Sequence, residues 1–277
     1  MIWPSLGDRS NRDLAIGNRK FLDSIYNRTM LGIVIGATGV AAAVGGAGYQ
    51  TMSPTGQWYG RTFAGLPRGT RQIALTYDDG PNDPYTLQLL EILNKHDVHA
   101  TFFLIGKHLK LRPTLARDIM KEGHAIGNHT FSHPNLIFAS ARQTRDELEL
   151  CSQVLKDALG TELFLFRPPF GGRRPETLHI ARSLGLQTIM WRVTGYDWRQ
   201  KPALYIEDKV RTHLRGGDVI LLHDGSHIGL GADRAQTVIA TDRLIPWCKA
   251  QGFEFVTIPE MLGKTVPGDQ FRVLSRA

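Results

Sequence analysis

From Arg71 to Thr257 the chain alternates short apolar runs with longer segments of amphipathic period, about seven times over. Ile73–Tyr77, Ala100–Ile105, His124–Gly127, Leu163–Phe166, Thr188–Val193, Asp218–Leu222 and Glu254–Thr257 read as strands. Between them, Tyr85–His96 carries Leu87, Leu90, Ile92 and Leu93 at helical spacing, and Arg112–Glu122, Ala141–Leu159, Pro175–Leu184, Ala203–Leu214 and Ala232–Ala250 read as helices. A helix between two strands is long enough to carry the chain back to the same end, so the strands pair in parallel. The alternation therefore predicts an α/β fold, one parallel sheet with helices outside it. A chain of 277 residues suits one such domain, or two small ones. No repeat of fixed period competes with this reading.

In parallel sheets chemistry gathers at the carboxyl ends of the strands. Asp78-Asp79, His129, Arg167, Asp197 and His223 each follow a strand-like run, so the topology predicts one joint site. Adjacent carboxylates repel unless a positive charge is shared between them. A divalent metal is the expected answer, because His129 and His133 lie downstream at a four-residue spacing that would set both imidazoles on one face of a helical turn. One Asp with two His is a ligand set for a catalytic zinc that keeps a position open for water. The second Asp is then free to act as a base. Taken alone, Asp78-Asp79 before Gly80-Pro81 also fits turn chemistry, and His223 a core histidine. Asp224 reads as a cap of the following turn, and the seven other histidines, His124 and His227 among them, as structural.

Composition narrows the partners. With 42% apolar and 21% charged residues the chain can bury a sizeable core. A net charge of +7 and a pI near 9.5 suit an anionic surface such as a cell-envelope polymer or a phospholipid headgroup. No basic block interleaves with aromatics, so no nucleic-acid partner is expected, and no protein partner is indicated. Cys151 and Cys248 stand alone and read as buried free thiols.

The first 70 residues read separately. No charged residue occurs from Thr29 to Gly60, and Met30–Tyr49 as a helix would span about 30 Å, the thickness of a bilayer core. Five Arg or Lys against three Asp precede it. Residues 1–28 are thus expected to be cytoplasmic, 29–49 a transmembrane signal anchor or a signal peptide, and the remainder extracytoplasmic, or secreted if the segment is cleaved. Six glycines in that stretch weaken the signal and leave a buried helix or leader as the bland alternative. Residues 50–70, rich in Gly and Pro, read as a linker or an extended lead-in.

Five segments stand in order: Thr76-Tyr77-Asp78-Asp79-Gly80, His129-Thr130-Phe131-Ser132-His133, Arg167-Pro168-Pro169-Phe170-Gly171, Tyr196-Asp197-Trp198 and Leu221-Leu222-His223. Together they resemble the motifs of the NodB-type polysaccharide deacetylases, carbohydrate esterase family four. The resemblance spans roughly residues 71 to 262, which it marks as the catalytic domain with 263–277 as a tail, and it implies a distorted, incomplete (β/α)7 barrel. It implies metal-assisted hydrolysis of the acetamide of an N-acetylhexosamine in a glycan. Carried over by position, Asp79, His129 and His133 bind the metal, zinc first, with cobalt or another divalent ion as alternatives. Asp78 is the general base and His223 the general acid, while Arg167 orients Asp78 and Asp197 tunes His223. Trp198 and Leu221 wall the acetyl pocket, and the Phe170 N–H helps hold the oxyanion. Thr194 stands where the family carries a further Asp, and Tyr77 where Phe is commoner. Rival readings are an amide hydrolase acting on a small or lipid-linked substrate, and an inactive carbohydrate-binding protein.

Overall fold

The computed structural model of the chain describes residues 30–31 and 35–264. It divides into two units, Met1–Tyr49 and Gln50–Ala277. Residues 35–52 are helical. Among the described residues no helix is long and apolar enough to cross a membrane, which leaves the expected span over 29–49 without structural support. The expected cytoplasmic segment 1–28, part of the expected anchor, and the tail from 265 onward lie outside the described residues.

Among the described residues the second unit is built on eight strands: β1 (Gln72–Gly80), β2 (Thr101–Leu104), β3 (Ala125–Asn128), β4 (Leu165–Phe166), β5 (Gln187–Thr188), β6 (Val193–Thr194), β7 (Val219–His223) and β8 (Glu254–Phe255). They pair in the order β5-β4-β3-β2-β1-β7-β6, with β8 also on β1, and every ladder is parallel. The helices between them are α1 (Tyr85–Lys95), α2 (Gly106–Leu111), α3 (Pro113–Lys121), α4 (Ala141–Leu159), α5 (Pro175–Ser183), α6 (Ala203–His213) and α7 (Ala235–Ala250), and α8 (Ile258–Met261) follows β8. Neither α2 nor α8 is expected from periodicity, since a run of six or four residues is too short to show it.

The edges of this sheet are β5 and β6, yet only Ile189–Arg192 separates them in sequence. A chain advances at most about 3.6 Å per residue, so the two edges lie within about 18 Å and the sheet must curl into a partial barrel. This corrects the single strand expected over Thr188–Val193. The chain leaves one edge at Thr188 and joins the other at Val193, because one strand cannot serve both edges of an open, curled sheet.

Residues 53–70 carry turns and two isolated bridges to the barrel. Phe63 forms a parallel bridge to Ile189, its N–H donating to Thr188 O at 2.9 Å and its carbonyl accepting from Met190 N–H at 2.7 Å. Gly65 bridges Asp218. The buried Arg173 guanidinium donates to the carbonyls of Ser53 and Gly56, both at 2.7 Å.

Period-two alternation sorts β1 between two environments. Ile73, Leu75 and Tyr77 face the helices and share a core with Leu89 and Leu93 of α1 and Leu244 and Ile245 of α7. Ala74 faces the other way, into the barrel, with Phe103 of β2, Leu165 of β4 and Val219 of β7. Each fully buried large apolar side chain contributes about 1.5–3 kcal/mol of transfer free energy, so this two-sided burial holds the sheet in register. Thr76 and Asp78 continue the inner face toward the carboxyl end of β1. The thiols of Cys151 and Cys248 are buried and free, as expected.

Candidate active site

In a regular strand Asp78 and Asp79 would point to opposite faces. The β1–β2 register prevents this: Asp78 lies opposite Phe103 and Gly80 opposite Leu104, so Asp79 is an extra residue, a bulge, with φ at 75°. Left-handed backbone is uncommon outside glycine and is best tolerated by Asp and Asn. The bulge brings both carboxylates into one pocket. Gly80 has a separate requirement, because a Cβ there would collide with Asp224 Oδ2.

His129 and His133 come together by a route other than the helical turn expected. They lie in a loop after β3, with Thr130 at φ 64° and His133 at φ 63°. Side chains compete for the backbone there and stop a helix from forming. Thr130 N–H donates to Asn128 Oδ1 at 2.8 Å, His133 N–H to Thr130 Oγ1 at 3.1 Å, and Ser132 N–H to Glu147 at 2.7 Å. The two rings meet edge to face with centroids 4.9 Å apart.

Asp79 Oδ1 then lies 3.1 Å from His133 Nε2 and 3.4 Å from His129 Nε2. All three residues are buried, and Asp79 Oδ1 has no hydrogen-bond partner among the described residues. His129 Nδ1 lies 2.8 Å from the Arg167 carbonyl, which can only accept, so Nδ1 carries a proton and Nε2 is the nitrogen turned toward Asp79. An orphaned carboxylate oxygen opposite two imidazole nitrogens fits a divalent cation with N/O preference. Burial works against the Asp79 charge, but the His129 and His133 imidazoles outweigh it and hold its carboxyl well below the ordinary range. Burial pushes the His133 imidazole down to about 4 against the pull of Asp79, which keeps it neutral, as a ligand must be.

Asp78 is held differently. Its Oδ1 accepts from a terminal nitrogen of Arg167 at 2.7 Å, and its Oδ2 lies 3.7 Å from His129 Nε2. The same Arg167 nitrogen donates to Thr76 Oγ1 at 2.8 Å, and the guanidinium lies over the Phe103 ring at 4.1 Å. Arg167 is fully buried and bonds the carbonyls of Ile189 and Met190, so the crossing between the sheet edges anchors it.

His223 ends β7 in direct register with Asp78 on β1, so both occupy the inner face at one level. Its Nδ1 lies 2.9 Å from Asp197 Oδ1, and its N–H donates to Asp197 Oδ2 at 2.7 Å. Thr237 donates to the same Oδ2 at 2.9 Å. Burial works against the imidazolium, but Asp197 and then Asp79 and Asp78 outweigh it and lift His223 to about 9. Thr194, where the family's further Asp would stand, instead accepts from Tyr196 N–H through its hydroxyl.

Asp78, Asp79, His129, His133 and His223 line a pocket of about 270 Å³ together with Phe170, Trp198 and Leu221, while Arg167 and Asp197 lie behind it, bonded to Asp78 and His223. Phe170 is left-handed (φ 57°) and half-exposed, and the Trp198 ring stands edge-on to His223 at 5.3 Å. The pocket also takes in Trp191 and His227, which sequence reasoning misses. His227 is expected as structural, yet it stacks on His133. Nothing in its local pattern marks it, since its partners come from other loops. Thr76 was readable, because it shares the inner face with Asp78.

The chain matches the Polysaccharide deacetylase family model over residues 66–189. It is 36% identical over 199 residues to a peptidoglycan-N-acetylglucosamine deacetylase of Bacillus cereus, covering 71% of this chain and 91% of that protein. It is 35% identical to a chitooligosaccharide deacetylase of Bradyrhizobium sp., covering 70% and 91%. The crystal structure of the Bc1960 peptidoglycan N-acetylglucosamine deacetylase superposes with a TM-score of 0.70 at 34% identity, over 74% of this chain and 94% of that one. Parallel partial barrel, ordered motifs and relatives matched over nearly their whole length agree: this chain belongs to the polysaccharide deacetylase family.

Proposed function

We propose that this protein hydrolyses the N-acetyl groups of N-acetylhexosamine residues in a cell-envelope glycan, releasing acetate and a free amine. The observation that carries this reading is the split of the two β1 carboxylates within one pocket. Asp79 faces two imidazoles, whereas Asp78 is gripped by Arg167. Relatives named for peptidoglycan and for chitooligosaccharide support the substrate class.

A divalent cation, zinc in our reading, bound by Asp79, His129 and His133 would supply Lewis acidity and acidify water toward a pKa of about 7. The other steps belong to side chains of this chain. Asp78 presents Oδ2 to the pocket while Arg167 holds Oδ1, so one oxygen is positioned to take a proton from the attacking water. The leaving nitrogen needs a proton, and His223 carries one at neutral pH, stabilised by Asp197. Trp198 and Leu221 border the space where an acetyl methyl group fits, and the Phe170 N–H serves as an oxyanion donor.

The extracytoplasmic location and the membrane anchor or signal segment form part of the same proposal. They rest on the uncharged stretch from Thr29 to Gly60 and its positive flank. Acetate release from chitooligosaccharides and from peptidoglycan by the full-length chain, with and without a chelator, tests the activity. Release abolished by chelation and restored by zinc is expected. No acetate from any N-acetylated glycan would overturn the reading, and glycan binding without hydrolysis would favour the inactive module. Fractionation of cells expressing the full chain tests the location.

A further inference from the structure

We infer that His227 is a substrate-contacting residue that fixes the sugar at the mouth of the pocket, an inference that rests on the deacetylase reading above. His227 borders the pocket without belonging to any of the five motifs. Its ring lies parallel to that of His133, centroids 4.8 Å apart and planes at 16°, and meets Phe170 edge to face at 5.2 Å. Two neighbours thus fix the ring plane, and no hydrogen bond to protein among the described residues uses its ring nitrogens.

The segment carrying His227 has no helix or strand, yet it is held from several sides. The buried Asn82 side chain accepts from Gly231 N–H at 2.6 Å and donates to the carbonyls of Asp224 and Ala232, each at 2.9 Å. Arg234 donates to the Gly225 carbonyl at 2.7 Å, and Lys107 Nζ donates to the carbonyl of His227 itself at 3.0 Å. A surface loop with no task does not need three side chains from separate segments to set its path. Pinning of this kind preorganises the presented group.

The chemistry of the ring suits a sugar. An imidazole has one nitrogen that donates and one that accepts, and a hydroxyl does both, so the pair can bond in either sense. Phe170 beside it, 47% exposed, offers an apolar face to the C–H side of a pyranose. The next residue, Ile228, is 87% exposed and does not line the pocket, so the presentation is specific to position 227.

The test compares H227A, H227Q, H227F and the neighbouring I228A in the full-length protein. Readouts are KM and kcat for a chitooligosaccharide, Kd for the same oligomer by calorimetry, and the midpoint of a zinc titration. Loss of one or two hydrogen bonds predicts a rise of roughly 3- to 10-fold in KM and Kd for H227A, with the zinc midpoint unmoved. H227Q, which keeps a polar edge, should recover most of this, H227F should not, and I228A should match the parent. An H227A protein with parental KM and Kd would overturn the inference. So would a weakened zinc midpoint in H227A that H227F restores, since His227 would then only buttress His133. A parent that binds the oligomer without releasing acetate would count against the deacetylase reading alone, and the Kd series would still decide His227. A parent that neither binds nor hydrolyses it overturns both.

Discussion

The two sides of the pocket are built on opposite principles. On one side Asp79, His129 and His133 meet through strained backbone, with Asp79 and His133 both left-handed, and Asp79 Oδ1 and His133 Nδ1 lack hydrogen-bond partners among the described residues. On the other side the polar atoms are used. Arg167 spends its nitrogens on Asp78, Thr76, Ile189 and Met190, and both Asp197 oxygens are engaged by His223 and Thr237. Burying an unpaired polar atom costs about 1–3 kcal/mol, so orphans on one side only are informative. One side is arranged to receive a ligand, and the other to hold two side chains in fixed protonation and orientation.

The sharpest way to break this comparison is to remove one carboxylate from each side. Asp79→Ala should cost more than the 10- to 100-fold in metal affinity typical of supporting residues, and take deacetylation to background. Asp78→Asn should keep the zinc titration midpoint and lose about 10²- to 10⁴-fold in kcat. Equal loss of metal in both variants would show that the two sides are not distinct.

Next in size is Arg167→Ala. It leaves the buried Asp78 carboxylate without its partner, and breaking a buried pair costs about 3–5 kcal/mol. Urea unfolding should show that loss, and the double variant Asp78→Asn, Arg167→Ala should recover part of it. A loss under about 1 kcal/mol would mean that the pair is not the anchor its geometry indicates.

Smallest is Asp197→Asn, which acts through His223. A general acid works while protonated, so activity should hold at neutral pH and fall as pH rises through the His223 value, lifted to about 9. A dication beside Asp79 repels the imidazolium, so the basic limb of the metal-loaded enzyme should fall at or below that value. The Asn variant removes the largest raising influence and should move the limb toward lower pH, with metal affinity unchanged. An unmoved limb would separate His223 from the proton transfer. The three results together would sort the pocket into a receiving and a holding side, or show that it is one network.

How much of this was legible in the sequence varies with the range of the interaction. Helix α4 appears over the residues expected, Ala141–Leu159, because its cues are local: Ser140 accepts from Gln143 N–H at the start, and Gly160 takes φ 71° at the end. The strand ends that carry Asp78, His129, Arg167 and His223 were equally legible, since an apolar run followed by a polar residue needs no tertiary information. The His129–His133 geometry was misread because periodicity cannot see Asn128 and Glu147 competing for the loop backbone. The split of Thr188–Val193 was invisible for the same reason, since sheet closure is a global constraint on a locally strand-like segment.

The sequence by itself determined the parallel α/β class and the residues that reach the carboxyl rim. Those follow from alternation and chain connectivity, which are properties of neighbours along the chain. Only the tertiary structure decided that Asp78 and Asp79 share a pocket, because a bulge is defined by register against β2. Only it brought His227 against His133, Asp197 under His223 and the lead-in across the barrel gap. Those contacts join segments that no local pattern relates, and they form only once the sheet has curled.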